Sequence, residues 1–127
     1  MNTTDQYQKE AETRWGNTEA YRQSTERVKK MTKEDFARIG KEGDDLMREI
    51  ASSMDKGAES PEIQKLIGRH YDNLRNFYDP NLEMYRGLAD MYVADNRFTA
   101  YFEKYRKGLA EFMRDAMHVY CDNGGFK

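Results

Sequence analysis

Glu83-Met-Tyr-Arg-Gly-Leu-Ala-Asp-Met-Tyr-Val-Ala-Asp-Asn-Arg-Phe98 decides how the chain is read. Met84, Leu88, Met91 and Tyr92 recur at three- and four-residue steps, which places them on one face of a helix. Asp95 interrupts the apolar pattern, and Phe98, Tyr101, Phe102 and Tyr105 resume it. Methionine and aromatic side chains at this density build either a helical core or an adaptable apolar pocket. Core packing is the commoner use of such a stripe, and spacing alone does not separate the two. Nine tyrosines in 127 residues are nevertheless more amphipathic surface than a minimal core requires. A phenol combines apolar contact with an orienting hydroxyl.

Working outward, a final amphipathic helix is expected over about 105–120, burying Leu109, Phe112, Met113, Ala116, Met117 and Tyr120. On the upstream side, Asp79-Pro80-Asn81 ends the preceding helix, because a residue before proline is pushed out of the helical region. That helix starts at Ser60-Pro61-Glu62, with serine as cap and proline at the first helical position. Its inner face is Ile63, Leu66, Ile67, His70, Leu74, Phe77 and Tyr78. Thr32 and Asp35 form a capping box that opens a longer helix, whose inner stripe is Phe36, Ile39, Gly43, Leu46, Met47, Ile50 and Met54. Gly57 is its expected stop. A helix over about 18–30 has only Ala20, Tyr21 and Val28 to bury, so it should lie shallow. Residues 1–14 carry helix formers from Gln8 to Thr13, and Trp15-Gly16-Asn17-Thr18 breaks that segment. No stretch alternates as a strand does. The expected fold is all-α, a single domain over 1–127 of five or six helices, with a helical core at 32–121 and a frayed tail at 122–127.

Composition narrows the function. The 21 basic and 23 acidic residues leave a formal charge of −2, with no basic footprint for a phosphate backbone, so direct nucleic-acid contact is not expected. Mean hydropathy is −1.07, yet one tryptophan, nine tyrosines and six phenylalanines argue for a folded chain. Cys121 is the single cysteine, which excludes a disulfide framework. No apolar run reaches the length of a membrane span and no secretory leader is visible, so a cytoplasmic protein without membrane contact is expected.

No catalytic constellation emerges, and neither an enzyme nor a cofactor is expected. His70 and His118 sit on different helices, and Asp115-x-x-His118 is a single pair of the kind usually found on a solvated surface. His70, on an apolar face, is expected to be a hydrogen-bonded core histidine. Cys121 sits at a helix C-terminus, where the helix dipole disfavours a thiolate. The charged runs Thr25–Lys33 and Lys41–Asp45 are expected to be solvated helix faces.

Two blocks resemble a known family. Glu12-Thr-Arg-Trp-Gly-Asn-Thr-Glu-Ala-Tyr-Arg-Gln-Ser24 and Thr32-Lys-Glu-Asp-Phe36 are similar to the start of the TipAS antibiotic-recognition domain. Glu83-Met84, Met91-Tyr-Val-Ala-Asp-Asn-Arg-Phe98, Gly108-Leu-Ala110 and Met113-Arg-Asp-Ala116 are similar to its second half. The resemblance implies a compact globin-like helical domain without haem. Such a domain captures a bulky apolar antibiotic-like molecule, either as the effector half of a MerR-type transcription activator or as a free-standing drug-sequestering protein. It also implies a mobile N-terminal lid, here 1–31, with Trp15 and Tyr21 on it. The pocket wall would be Tyr78, Met84, Tyr85, Leu88, Met91, Tyr92, Phe98, Tyr101 and Phe112. In thiopeptide-capturing members a cysteine after the Glu-Met pair adds to a dehydroalanine of the antibiotic. Gly87 stands at that position here, and Pro80 where a second family cysteine occurs. Reversible binding is therefore expected. An N-terminal DNA-binding domain in the full gene product is the further expectation from the regulator reading. The alternative is a helical protein–protein interaction or dimerisation module with no small-molecule ligand.

Overall fold

The computed structural model describes residues 19–125. Trp15 and the expected breaks before residue 19 lie outside the described residues. Six α-helices are found among those described: α1 (Glu19–Lys30), α2 (Lys33–Ser52), α3 (Pro61–Asn73), α4 (Leu82–Ala94), α5 (Asn96–Glu103) and α6 (Leu109–Asp122). Short 3₁₀ turns at Met54–Lys56 and Leu74–Asn76 follow α2 and α3.

Local sequence sets most of these boundaries. The Thr32 hydroxyl accepts from the Asp35 N–H at 3.1 Å, and the Asp35 carboxylate accepts from the Thr32 N–H at 3.0 Å, so the expected capping box opens α2. Ser60 caps α3 with Pro61 in its first turn. Asn81 and Asp95 cap α4 and α5 through their side-chain oxygens.

The core is built where α4 and α6 pack along each other, with α2 packed on α3, α3 on α6, and α5 on both α4 and α6. Ile50, Ile63, Ile67, Tyr85, Leu109, Met113 and Met117 are wholly buried. Full burial of each such side chain contributes about 1.5–3 kcal/mol. Gln64, also buried, donates its amide to the Ala58 and Ala116 carbonyls and so ties α3 to α6.

Four boundaries or faces differ from the expectations. Phe36 is 46% exposed, because it belongs to the first turn of α2 and the buried part of that helix runs only from Ile39 to Ala51. α2 stops at Ser52, and Gly57 ends the 3₁₀ turn that follows. α3 tightens after Asn73, where the Phe77 and Tyr78 N–H groups both reach the Leu74 carbonyl. α6 begins at Leu109 rather than near 105, because Gly108 sits at φ +90°, outside the helical region. The Glu103 carboxylate accepts from the Gly108 and Ala110 N–H groups there, placing an anion at the positive end of α6. At the other end Gly124, at φ +71°, donates to the Cys121 carbonyl and Gly125 to that of Tyr120, which closes α6 in a Schellman motif.

Gly40 and Gly87 are exposed inside α2 and α4, and a Cβ at either would meet nothing within 4 Å. Alanine at each is expected to raise stability by about 0.5–1 kcal/mol. A higher urea midpoint at unchanged slope checks this. A lowered midpoint would mean the Cβ is not free.

Candidate functional site

α4 presents two faces. Tyr85, Ala89 and Tyr92 face the core, at 0%, 0% and 6% exposure. Arg86 and Asp90 reach α6 or its end instead, through Asp122 at 2.6 Å and His118 at 2.8 Å. Met84, Leu88 and Met91 lie half-buried on the flank turned away from α6, about 160° around the helix from Arg86 in the case of Met84. The stripe expected to be the inner face thus splits: Tyr92 goes inward, and the two methionines with Leu88 form a shoulder beside the core.

Beneath that shoulder a polar chain crosses the core. The His70 Nδ1 lies 2.7 Å from the Tyr85 hydroxyl and its Nε2 lies 3.4 Å from that of Tyr92. The Tyr85 hydroxyl donates to the Ile67 carbonyl at 3.3 Å. One proton arrangement uses every donor: Tyr92 donates to Nε2, Nδ1–H donates to Tyr85, and Tyr85 donates to Ile67. Burial holds the imidazole neutral, its pKa lowered to about 4, and pushes both phenols up. Tyr85 and Tyr92 are therefore held from behind by core contacts, and His70 is the hydrogen-bonded core histidine expected from its apolar face.

The remaining expected wall residues are spread over several elements. Tyr78, in the connection before α4, is half-buried, and burial raises its phenol. Phe98 on α5 packs its ring 5.8 Å from that of Tyr92. Tyr101, one turn on, is 45% exposed and meets Phe102 edge-on. Of these three, Phe98 packs on the buried Tyr92 directly, and Tyr101 is joined to it through Phe102. Phe112 is half-buried on α6, about 120° around that helix from the His118 that meets α4. It packs against the same core cluster as Leu88.

Tyr21 is half-buried on α1, a helix that buries no residue completely. Polar contacts hold α1 against the connection before α4. Arg27 donates to Asp79 at 2.9 Å and to the Arg75 carbonyl at 2.9 Å, and Gln23 accepts from the Asp79 N–H at 2.8 Å. Sequence reasoning missed this attachment, since Gln23 and Arg27 look like any solvated helix face until Asp79 is placed beside them.

Gly87 is exposed one turn from Met84 and Met91. Cys121 is half-buried on the other flank of α4, donating to the Leu82 carbonyl at 3.3 Å, and burial raises its thiol. Among the described residues no three histidine, cysteine or carboxylate side chains are grouped to hold a metal ion. No described helix is long and apolar enough to cross a membrane.

A family model for the TipAS antibiotic-recognition domain matches residues 7–120. The chain belongs to the TipAS family. Its sequence is 45% identical over 116 residues to the HTH-type transcriptional activator TipA of Streptomyces coelicolor, covering 89% of this chain and 46% of TipA. It is 35% identical over 102 residues to the HTH-type transcriptional activator mta of Bacillus subtilis, covering 80% of this chain and 40% of mta. This TipAS domain therefore spans less than half the length of these relatives. Its structure superposes on TipAS of Streptomyces lividans, solved in complex with nosiheptide, with a TM-score of 0.88 at 42% identity, over 96% of this chain and 87% of that one. It also matches the antibiotic-binding domain of a TipA-class multidrug resistance transcriptional regulator, with a TM-score of 0.62 at 37% identity, over 68% of this chain and 95% of that one. The all-helical fold expected from the sequence is that of TipAS.

Proposed function

We propose that this TipAS domain binds bulky antibiotic-like small molecules reversibly, as the effector domain of a MerR-type regulator or as a free-standing drug-sequestering protein. The observation that carries the reading is the near-complete structural match to a TipAS domain solved with a thiopeptide bound. The α4 shoulder adds local support: flexible methionines beside tyrosines adapt to more than one ligand shape. In this reading Met84, Leu88, Met91, Tyr78, Phe98 and Tyr101 contact the ligand, while Tyr85 and Tyr92 hold the wall from behind. Residues 1–31 act as a lid over the 32–121 core, and Trp15 and Tyr21 meet the ligand from above. The protein acts in the cytoplasm, and a DNA-binding segment encoded ahead of this chain would turn binding into a transcriptional response.

Titration with nosiheptide, read through Trp15 as the single tryptophan, tests this. The expected result is a saturable fluorescence change together with slowed amide exchange before Thr32. A chain that instead sediments as a tight dimer, with neither response to nosiheptide, would transfer the assignment to the interaction module.

A further inference from the structure

Asp44 and Arg48 stand one turn apart on α2, opposite Tyr101, Lys104, Tyr105 and Arg106 at and after the end of α5. Between them lies an open cleft of about 600 Å³, within the size range of small-molecule sites. Its aromatic wall is fixed in place. Tyr105 donates its hydroxyl to Asp44 at 2.8 Å, and the Tyr101 hydroxyl, 3.3 Å from that of Tyr105, donates in turn. The two rings meet edge-on at 5.6 Å, and Phe102 braces Tyr101 edge-on at 5.2 Å. Tyr101 nevertheless remains 45% exposed. A large ring held this firmly and left this open offers a stacking face without the entropy cost of ordering it.

The charges are unequal in their commitments. Arg48 is paired with Asp44 at 2.8 Å and lies over the Tyr105 ring. Arg106 is paired with Asp55 at 3.1 Å and donates to the Ala51 carbonyl. Lys104 has no carboxylate partner among the described residues. Among the described residues the cleft thus sets a lysine without a carboxylate partner beside an exposed aromatic ring.

We propose that the α2/α5 cleft is a binding site for a flat aromatic monoanion, an aryl carboxylate whose ring stacks on Tyr101 and whose acid group pairs with Lys104. This cleft is separate from the proposed antibiotic site, which draws on the methionine shoulder of α4 and shares only Tyr101 with it.

The test is a two-dimensional NMR titration of the full chain with 2-naphthoate, with 2-naphthamide as the uncharged counterpart. Saturable shifts within 44–52 and 101–106 are expected, with naphthoate binding about tenfold more tightly than the amide. Added salt should weaken the acid and leave the amide unchanged. Lys104→Gln should bring naphthoate down to the amide's affinity, and Tyr101→Ala should weaken both ligands about tenfold or more. Both side chains are exposed, so unchanged melting confirms that the variants fold. Equal affinity for acid and amide, shifts that fall on Met84, Leu88 and Met91 instead, or no saturable shift would each overturn the proposal.

Discussion

Replacement of His70 by leucine is expected to destabilise the domain by about 2–4 kcal/mol, although the two side chains differ little in bulk. The loss comes from the hydroxyls left behind. The Tyr92 hydroxyl loses the imidazole at 3.4 Å and the Tyr85 oxygen loses its 2.7 Å partner, both inside the core. Each buried polar group deprived of its partner costs about 1–3 kcal/mol. A His70→Leu, Tyr92→Phe double variant removes one of the orphaned hydroxyls and should recover part of the loss. Denaturant unfolding of the set checks this. Additive losses in the double variant would mean that the two side chains are not coupled.

The same imidazole gives the domain an acid sensitivity of definite sign. Burial lowers its folded pKa to about 4 from 6.5, so the unfolded chain takes up the proton first. Its contribution is fully present above about pH 6.5 and drains away as pH falls towards 4, by about 3 kcal/mol in all. Asp35 and Asp44, both held below the ordinary carboxylate range by hydrogen bonds, lose their contributions lower on the pH scale, which keeps the windows apart. His70→Gln retains a donor and an acceptor but cannot be protonated, and its stability should be nearly flat from pH 6.5 to 4.5. A wild-type chain equally flat there would sink the assignment of a buried neutral histidine.

What the sequence made legible follows from the range of the forces involved. Caps act within one turn, so Thr32 with Asp35, Ser60 with Pro61, and Asp95 were readable from the residues alone. Helical phase was harder where apolar residues surround a helix. On α4 the methionines, Leu88 and three tyrosine or alanine positions offer two adjacent stripes, and only the position of α6 selects Tyr85, Ala89 and Tyr92 for the core. Phe36 misled because helical phase carries no information about where a neighbouring helix ends. The Gln23 and Arg27 contacts to the Asp79 region span 48 to 56 residues of chain. The meeting of Asp44 with Tyr105 spans 61. Such pairings between polar side chains leave no periodic trace. The family resemblance supplied the binding role, which residue chemistry alone had left open between pocket and core.

Gly87→Cys is expected to turn the proposed reversible binding into permanent capture of a thiopeptide. The wild-type chain has no thiol placed for it. Cys121 lies on the opposite flank of α4, is bonded to the Leu82 carbonyl, and is pushed by burial towards the inert thiol form. Gly87 is exposed in a regular helix, with open space where a Cβ would stand. It sits three residues after Met84 and four before Met91, on the edge of the shoulder proposed to meet the ligand. A thiolate installed there can add its sulfur to the terminal carbon of a dehydroalanine. The double-bond electrons move to the neighbouring carbon, which takes a proton from water, so a thioether forms and nothing leaves. Attack requires the thiolate, so capture should accelerate as pH rises towards about 8.5, the ordinary cysteine pKa. Intact mass under denaturing conditions gives the outcome: one added nosiheptide on Gly87→Cys, none on the wild type, and one again on Gly87→Cys, Cys121→Ser. An adduct on the wild-type chain that Cys121→Ser removes would reverse the assignment of Cys121 as a bystander. A Gly87→Cys chain that binds nosiheptide without ever gaining its mass would place the ligand away from the α4 shoulder.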